Sequence, residues 1–194
     1  MADTKIILAS SSPYRRELLA RLKIPFEVVD PRVDESPRTG ERPEALAERL
    51  AVAKAQAVAQ GRTQGLVIGS DQVAVHGGRI RGKPGDHANA VRQLREASGK
   101  TVTLWTGVAL FNIKTGRIRS EVVPFEVVFR RLSDAQIERY VNKERPFECT
   151  GGVRAEGLGV ALLERFHGDD PNALIGLPLI RLVRMLEEEG VEVI

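Results

Sequence analysis

Two carboxylates and three cations stand where they could work on a phosphorylated substrate. Asp71 follows the apolar run Leu66-Val67-Ile68 through the small pair Gly69-Ser70, so a carboxylate sits where a buried strand emerges. Ligand sites in α/β sheets favour such strand ends; the ordinary alternative is an aspartate that satisfies turn N–H groups. Val33-Asp34-Glu35 ends an irregular charged segment, and one of its adjacent acids either faces a metal ion or is simply solvated. Lys54 lies four residues after Leu50, on the flank of an apolar helical stripe, and either snorkels outward or reaches into a site. Lys83 follows Gly82 after the turn His76-Gly77-Gly78-Arg79. Ideal two-residue hairpin register sets Gln72 opposite Lys83, with Lys83 and Asp71 on opposite faces. A bulge at Gly82 would bring them to one side, and a third reading makes Lys83 a charge that protects a strand edge.

The third cation is Arg15, in Ser10-Ser11-Ser12-Pro13-Tyr14-Arg15-Arg16. An apolar run, Ile6 to Ala9, precedes this stretch and an amphipathic one, Glu17 to Leu22, follows. The pattern predicts a strand, a hydroxyl-rich turn, and a helix capped by Ser12 with Pro13 at its first position. Two arginines in the first turn oppose the helix macrodipole. With the open N–H groups and the hydroxyls of Ser10 and Ser12, Arg15 describes a phosphate or carboxylate cradle. An ordinary capped helix with solvated arginines reads equally well.

The elements that must hold these residues alternate at first: strand 5–9, helix 13–23, strand 25–29, a loop over 30–39, a helix from Pro43 to about Ala59, and a buried strand from Leu66 into Val75. A short helix near 88–97 follows. The second half is richer in strands, with 102–113 and 122–130 joined at Lys114-Thr115-Gly116. Ser133-Asp134-Ala135-Gln136 is a capping box that opens a helix to about Asn142, and the last helix runs from Pro178 to Gly190. No repeat or linker interrupts the chain, so residues 1–194 are expected to form one domain, with the halves as lobes of a sheet-centred fold.

At 194 residues, 42% hydrophobic and 28% charged, the chain has the make-up of a globular domain with a sizeable core. No apolar run approaches the roughly 20 residues that span a bilayer, and Met1-Ala2-Asp3-Thr4-Lys5 is too short and acidic for a signal peptide. One cysteine, Cys149, and three histidines give neither an intrachain disulfide nor a Cys/His zinc cluster. A reducing cytoplasm is the expected compartment. The net charge of +3 comes without a basic tract interleaved with aromatics. A pocket for a small polyanion is therefore expected rather than stable nucleic-acid binding.

In chain order, Ser10-Ser11-Ser12-Pro13 with Arg15, Val33-Asp34-Glu35, Ala53-Lys54-Ala55, Gly69-Ser70-Asp71-Gln72 and Gly82-Lys83-Pro84 resemble the Maf family of nucleoside triphosphate pyrophosphatases. The resemblance continues through Thr106-Gly107-Val108 and Gly157-Leu158-Gly159 to Gly176-Leu177-Pro178-Leu179. It implies a two-lobed α/β fold of the Maf/ITPase-like kind, with a mixed central sheet flanked by helices, a nucleotide cleft between the lobes, and commonly a homodimer. It also implies hydrolysis between the α and β phosphates with a divalent cation, Mg²⁺ or Mn²⁺. On this resemblance Asp71 matches the general base and Glu35 a catalytic or metal-site acid. Asp71 and Glu35 are the metal candidates, and Arg15, Lys54 and Lys83 the triphosphate contacts. Such a set suits attack of water on the α-phosphorus, which needs a base to orient the water and cations to neutralise the leaving pyrophosphate.

One stretch departs from the broad family pattern. Glu148-Cys149-Thr150-Gly151 and Glu156-Gly157 stand where most members resemble Asp-Lys-Ala-Gly and Gln-Gly, so no lysine role carries over to Cys149. This departure is similar to the subgroup that hydrolyses 7-methyl-GTP, whose specificity positions match Tyr14, Gln72 and Glu156. Methylation at N7 makes guanine cationic, so Glu156 could accept charge-assisted hydrogen bonds from the base edge and Tyr14 could stack on the ring. The subgroup's tryptophan is replaced here by Tyr14. The resemblance implies a house-cleaning role against incorporation of modified nucleotides. Its alternatives are a dTTP/UTP pyrophosphatase, for which arginine at 14 and glutamine at 156 are expected, and a nucleotide-binding regulator of cell division.

Overall fold

The computed structural model describes residues 4–194; the first three residues of the N-terminal stretch weighed above as a targeting segment lie outside the described residues. Seven strands form a mixed sheet in the order β2-β1-β3-β5-β6-β7, with β4 paired to β3. The strands are β1 (Ile6–Ala9), β2 (Glu27–Val29), β3 (Leu66–His76), β4 (Arg79–Arg81), β5 (Thr101–Asn112), β6 (Ile118–Phe129) and β7 (Leu163–His167). The helices are α1 (Pro13–Ala20), α2 (Pro43–Ala59), α3 (His87–Ala97), α4 (Asp134–Glu144), α5 (Pro171–Ile175) and α6 (Leu179–Glu188). β1 runs parallel to both β2 and β3, whereas β3–β4 and β6–β7 are antiparallel.

The chain divides into two compact units, and β3, β5 and β6 each contribute residues to both. The first comprises residues 4–71, Thr106–Val123 and Asp170–Ile194. β1 and the start of β3 are apolar and buried at every position from Ile6 to Ala9 and Leu66 to Ile68 because both of their faces are covered. Ile6, Leu8, Leu66, Ile68, Val108 and Leu110 meet Leu18 and Leu19 of α1 and Leu182 and Leu186 of α6. The alternate residues Ile7, Ala9, Val67 and Ala109 meet Ala51, Ala55 and Val58 of α2.

Helix α2 lies unusually close to the strands. A Cβ added at Gly69 would stand 2.0 Å from the Ala51 carbonyl oxygen, and one at Gly107 would stand 2.4 Å from that of Ala47. Alanines every four residues along α2 and glycines on two strands thus let helix backbone rest on strand backbone. That approach draws the residues beside Ala51 and Ala55 into the interior.

The second unit comprises Gln72–Trp105 and Pro124–Asp169. Helices α3 and α4 pack together there, burying Ala90, Val91, Leu94, Ile137, Tyr140 and Val141. The capping box forms as its sequence implies: Ser133 Oγ accepts from Gln136 N, and the Gln136 side chain accepts from Ser133 N at 2.9 Å. β3 continues unbroken from the apolar run through Asp71 to His76, and its pairing with β4 ends at Ala74↔Arg81.

Candidate functional site

In the first unit, Lys54 is buried and its ammonium bridges two carboxylates. Nζ lies 2.6 Å from Asp71 Oδ1 and 2.6 Å from Glu35 Oε1. Asp71 is also buried, 7% exposed, and Lys54 is 4% exposed. The Glu35 side chain is 60% exposed, so the cluster has one dry carboxylate and one wet one. Snorkelling, the default for a lysine at the edge of an apolar stripe, is overridden here. The contact of α2 with Gly69 brings Lys54 level with the strand residue two positions on, and burying an ammonium requires a paired anion.

Glu35 is delivered by a loop with its own ionic frame. Arg49 of α2 grips Glu41 with two hydrogen bonds, Nε to Oε1 at 2.6 Å and Nη2 to Oε2 at 2.8 Å, and also donates to the Ser36 carbonyl at 3.1 Å. These bonds, with one from Arg38 N, pull the Glu41 carboxyl down to about 2. The neighbouring acid, Asp34, accepts from Ser36 N at 2.9 Å, and hydrogen bonds from Ser36 hold its carboxyl below the ordinary value. Of the two adjacent acids, Asp34 makes the turn and Glu35 reaches Lys54.

The serine turn follows β1. Ser10 is buried, its N–H donates to the Leu8 and Val29 carbonyls, and its Oγ accepts from Ser12 N at 3.1 Å. Ser12 caps α1 by accepting from Arg15 N at 3.4 Å. Arg15 does not simply extend into solvent, as the plain capped-helix reading has it. Its Nε donates to the Gly176 carbonyl at 2.8 Å. Burial of the guanidinium lowers its pKa, against the opposing pull of Asp71 and Glu35. Ser70, fully buried between Gly69 and Asp71, has its hydroxyl 2.9 Å from the same Gly176 carbonyl and 2.8 Å from that of Gly107. Gly176 adopts φ +120°, and a Cβ there would meet Arg15 Nε at 3.4 Å, so both its conformation and the guanidinium favour glycine. Ser70 and Gly176 thus hold Arg15 in place. The sequence reading did not single them out, and their only signal was membership in the Gly-Ser-Asp-Gln and Gly-Leu-Pro-Leu stretches. Tyr14 is half-buried in the first turn of α1.

The other candidates belong to the second unit. Gln72 is half-buried on β3. The β3–β4 hairpin keeps the ideal two-residue register, Ala74↔Arg81 to His76↔Arg79, without a bulge, but its pairing ends before Lys83, which lies beyond β4. Lys83 is exposed, with Nζ 3.3 Å from Glu148 Oε2. Glu156 sits in a tight turn before Leu158 and pairs with Arg154 Nε at 3.4 Å. Cys149 is partly buried and in no disulfide.

Among the described residues, no three or more His, Cys, Asp and Glu side chains gather as a metal site. The two carboxylates on Lys54 are hard oxygen donors of the type that hold Mg²⁺ or Mn²⁺ when phosphate oxygens and water complete the shell. They fit a cation that arrives with a phosphorylated ligand, not a resident one in a protein cage. Among the described residues, no helix is long and apolar enough to cross a membrane.

In the first unit, then, a buried lysine bridges two acids, one of them within β3 rather than at its end, and an arginine is braced on the Gly176 carbonyl. The Maf-like protein family model matches residues 5–189, and the chain belongs to the Maf family. It is 52% identical to a protein of Nitrosococcus oceani named 7-methyl-GTP pyrophosphatase, over 100% of this chain and 97% of that one. Proteins of the same name from Pseudomonas aeruginosa and Methylobacillus flagellatus are 57% and 54% identical, each over 97% of this chain and 98% of theirs. Among solved structures, the chain is similar to the Staphylococcus aureus Ham1 protein with a TM-score of 0.43 and 16% identity, over 68% of this chain and 73% of that one.

Proposed function

We propose that this chain is a nucleoside triphosphate pyrophosphatase that hydrolyses 7-methyl-GTP to the nucleoside monophosphate and pyrophosphate. In this role it keeps a modified nucleotide from being built into nucleic acids. The observation that carries the reading is the buried Lys54 bridge between Asp71 and Glu35, which supports a reaction at a phosphate. Relatives above 50% identity that bear the name of this activity support the choice of nucleotide.

In the reaction, Asp71 orients a water molecule and accepts its proton as the oxygen bonds to the α-phosphorus. The bond from that phosphorus to the bridging oxygen breaks, and pyrophosphate leaves with the electron pair. An ammonium has three N–H donors; two are spent on Asp71 and Glu35, and the third is assigned to a phosphate oxygen. Arg15, prevented by Gly176 from swinging away, and Lys83 supply further positive charge. Lys54 and Arg15 are offset by Asp71 and Glu35, so the triphosphate needs more cation than these residues provide. A Mg²⁺ or Mn²⁺ ion held by Glu35 and Asp71 would supply charge neutralisation to the phosphates. Ser10 and Ser12 shape the turn that presents Arg15. Glu156, Gln72 and Tyr14 read the base: the Glu156 carboxylate accepts from the edge of the cationic methylated guanine, and Tyr14 stacks on it. A cytoplasmic location and a homodimer complete the proposal.

The test is a panel of 7-methyl-GTP, GTP, UTP and dTTP with Mg²⁺ or Mn²⁺, with products identified. The proposal expects the highest kcat/KM for 7-methyl-GTP and pyrophosphate among the products. A preference for UTP or dTTP would overturn the substrate, and orthophosphate as the sole inorganic product would overturn the bond cleaved.

A further inference from the structure

Glu144 is the last residue of α4, a place where the negative end of the helix dipole disfavours a carboxylate. A local cost of that kind points to a tertiary role, and the structure supplies one. The side chain is only 12% exposed, and its two oxygens reach both ends of the segment that carries Glu156. Oε1 accepts from Arg154 Nη1 at 3.2 Å, and Oε2 accepts from Leu158 N at 2.9 Å. One turn earlier on the same helix face, the Tyr140 hydroxyl accepts from Arg154 N at 3.0 Å.

The segment also closes on itself. Gly157 N and Gly159 N both donate to the Arg154 carbonyl, at 3.1 and 3.0 Å. A Cβ at Gly157 would stand 2.8 Å from Glu144 Oε1, and one at Gly159 would stand 2.4 Å from the Arg154 carbonyl. Gly159 is therefore needed for the turn to close on the Arg154 backbone, and Gly157 leaves room for the Glu144 carboxylate against it. Arg154 then passes the restraint on: its Nη1 is held by Glu144 while its Nε meets Glu156 Oε1 at 3.4 Å.

We propose that Glu144 is a specificity-positioning residue, which by pinning Arg154 and Leu158 fixes where the Glu156 carboxylate is presented to the base. The inference rests on Glu156 reading the methylated guanine, as proposed above. Glu144 itself does not touch the nucleotide in this account. It acts through the turn, so its loss degrades discrimination between 7-methyl-GTP and GTP and raises KM more than it lowers kcat.

The experiment measures kcat and KM for 7-methyl-GTP and GTP, with melting temperatures, in wild type, Glu144→Gln, Arg154→Met, Glu156→Gln and the Glu144→Gln/Glu156→Gln pair. Glu144→Gln keeps an acceptor for Leu158 N but loses the ion pair. Coupled residues in one network shift such ratios by roughly 2- to 150-fold. The proposal expects Glu144→Gln and Arg154→Met each to lower the 7-methyl-GTP/GTP ratio in that range, chiefly through KM. It further expects Glu144→Gln to have no added effect on the ratio once Glu156 is Gln. An unchanged ratio in Glu144→Gln and Arg154→Met, alongside a lowered one in Glu156→Gln, overturns the role of Glu144 and leaves the base reading intact. An unchanged ratio in Glu156→Gln overturns the base reading, and the role of Glu144 with it. Were either single variant to fail to fold, the other carries the comparison.

Discussion

Replacing Lys54 with Met keeps most of the side-chain volume on α2 and removes the cation between Asp71 and Glu35. The two carboxylates respond differently. Glu35, 60% exposed, turns to water at little cost. Asp71, 7% exposed, loses the cation hydrogen-bonded to it beside the packed face of α2. Breaking a buried pair from one side costs about 3–5 kcal/mol. For a protein of this size each kcal/mol moves the melting temperature by about 2–4 °C, so Lys54→Met should melt roughly 6–20 °C below wild type at neutral pH. Lys54→Met/Asp71→Asn, which removes both charges, should recover most of the loss. Thermal or urea denaturation of the four proteins closes the cycle. A loss below about 1 kcal/mol for Lys54→Met, the size of an exposed ion pair, with no coupling in the double variant, would refute the buried bridge.

Two further outcomes follow from the way the site is framed. Gly69→Ala drives a Cβ into helix backbone 2.0 Å away, where no side chain can yield; it should cost about 1–3 kcal/mol or more and depress turnover by shifting Lys54 from Asp71, as read by melting temperature and kcat. Glu41, held at about 2 against an ordinary 4.5, is stabilised as the carboxylate by folding, so its contribution is complete above pH 4.5 and lost as pH falls toward 2; the melting-temperature gap between wild type and Glu41→Gln should be constant at neutral pH and narrow over that interval, and a gap undiminished at pH 2 would contradict the Arg49 grip.

Legibility in the sequence followed how local the determining physics was. The Ser12 cap, the Pro43–Ala59 bounds of α2 and the capping box at Ser133 depend on neighbours within one turn, and the structure shows each. The strand Leu66–Ile68 was legible as buried because a run covered on both faces is apolar throughout. Helix α1 ends at Ala20 rather than 23, with Lys23 at φ 56°. Strand β7 and the five-residue α5 were not seen. β7 is exposed along most of its length and gives no clear alternation, and α5 is set by Asp170, which accepts from Asn172 N and Ile180 N. At the site, the acids and cations were legible as types, but their pairing was not. Lys54 reaches Asp71 only because Gly69 and Gly107, far apart in sequence, admit α2 together. In the same way, Glu144 reads as a surface helix residue until the turn at 154–159 folds against it.

Asp71 is the proposed base of the reaction. Asp71→Asn preserves size and hydrogen bonding and removes the base, so in a folded variant the rate of pyrophosphate release from 7-methyl-GTP should fall by about 10²- to 10⁴-fold. Pyrophosphate release at a near-normal rate from correctly folded Asp71→Asn would contradict that role.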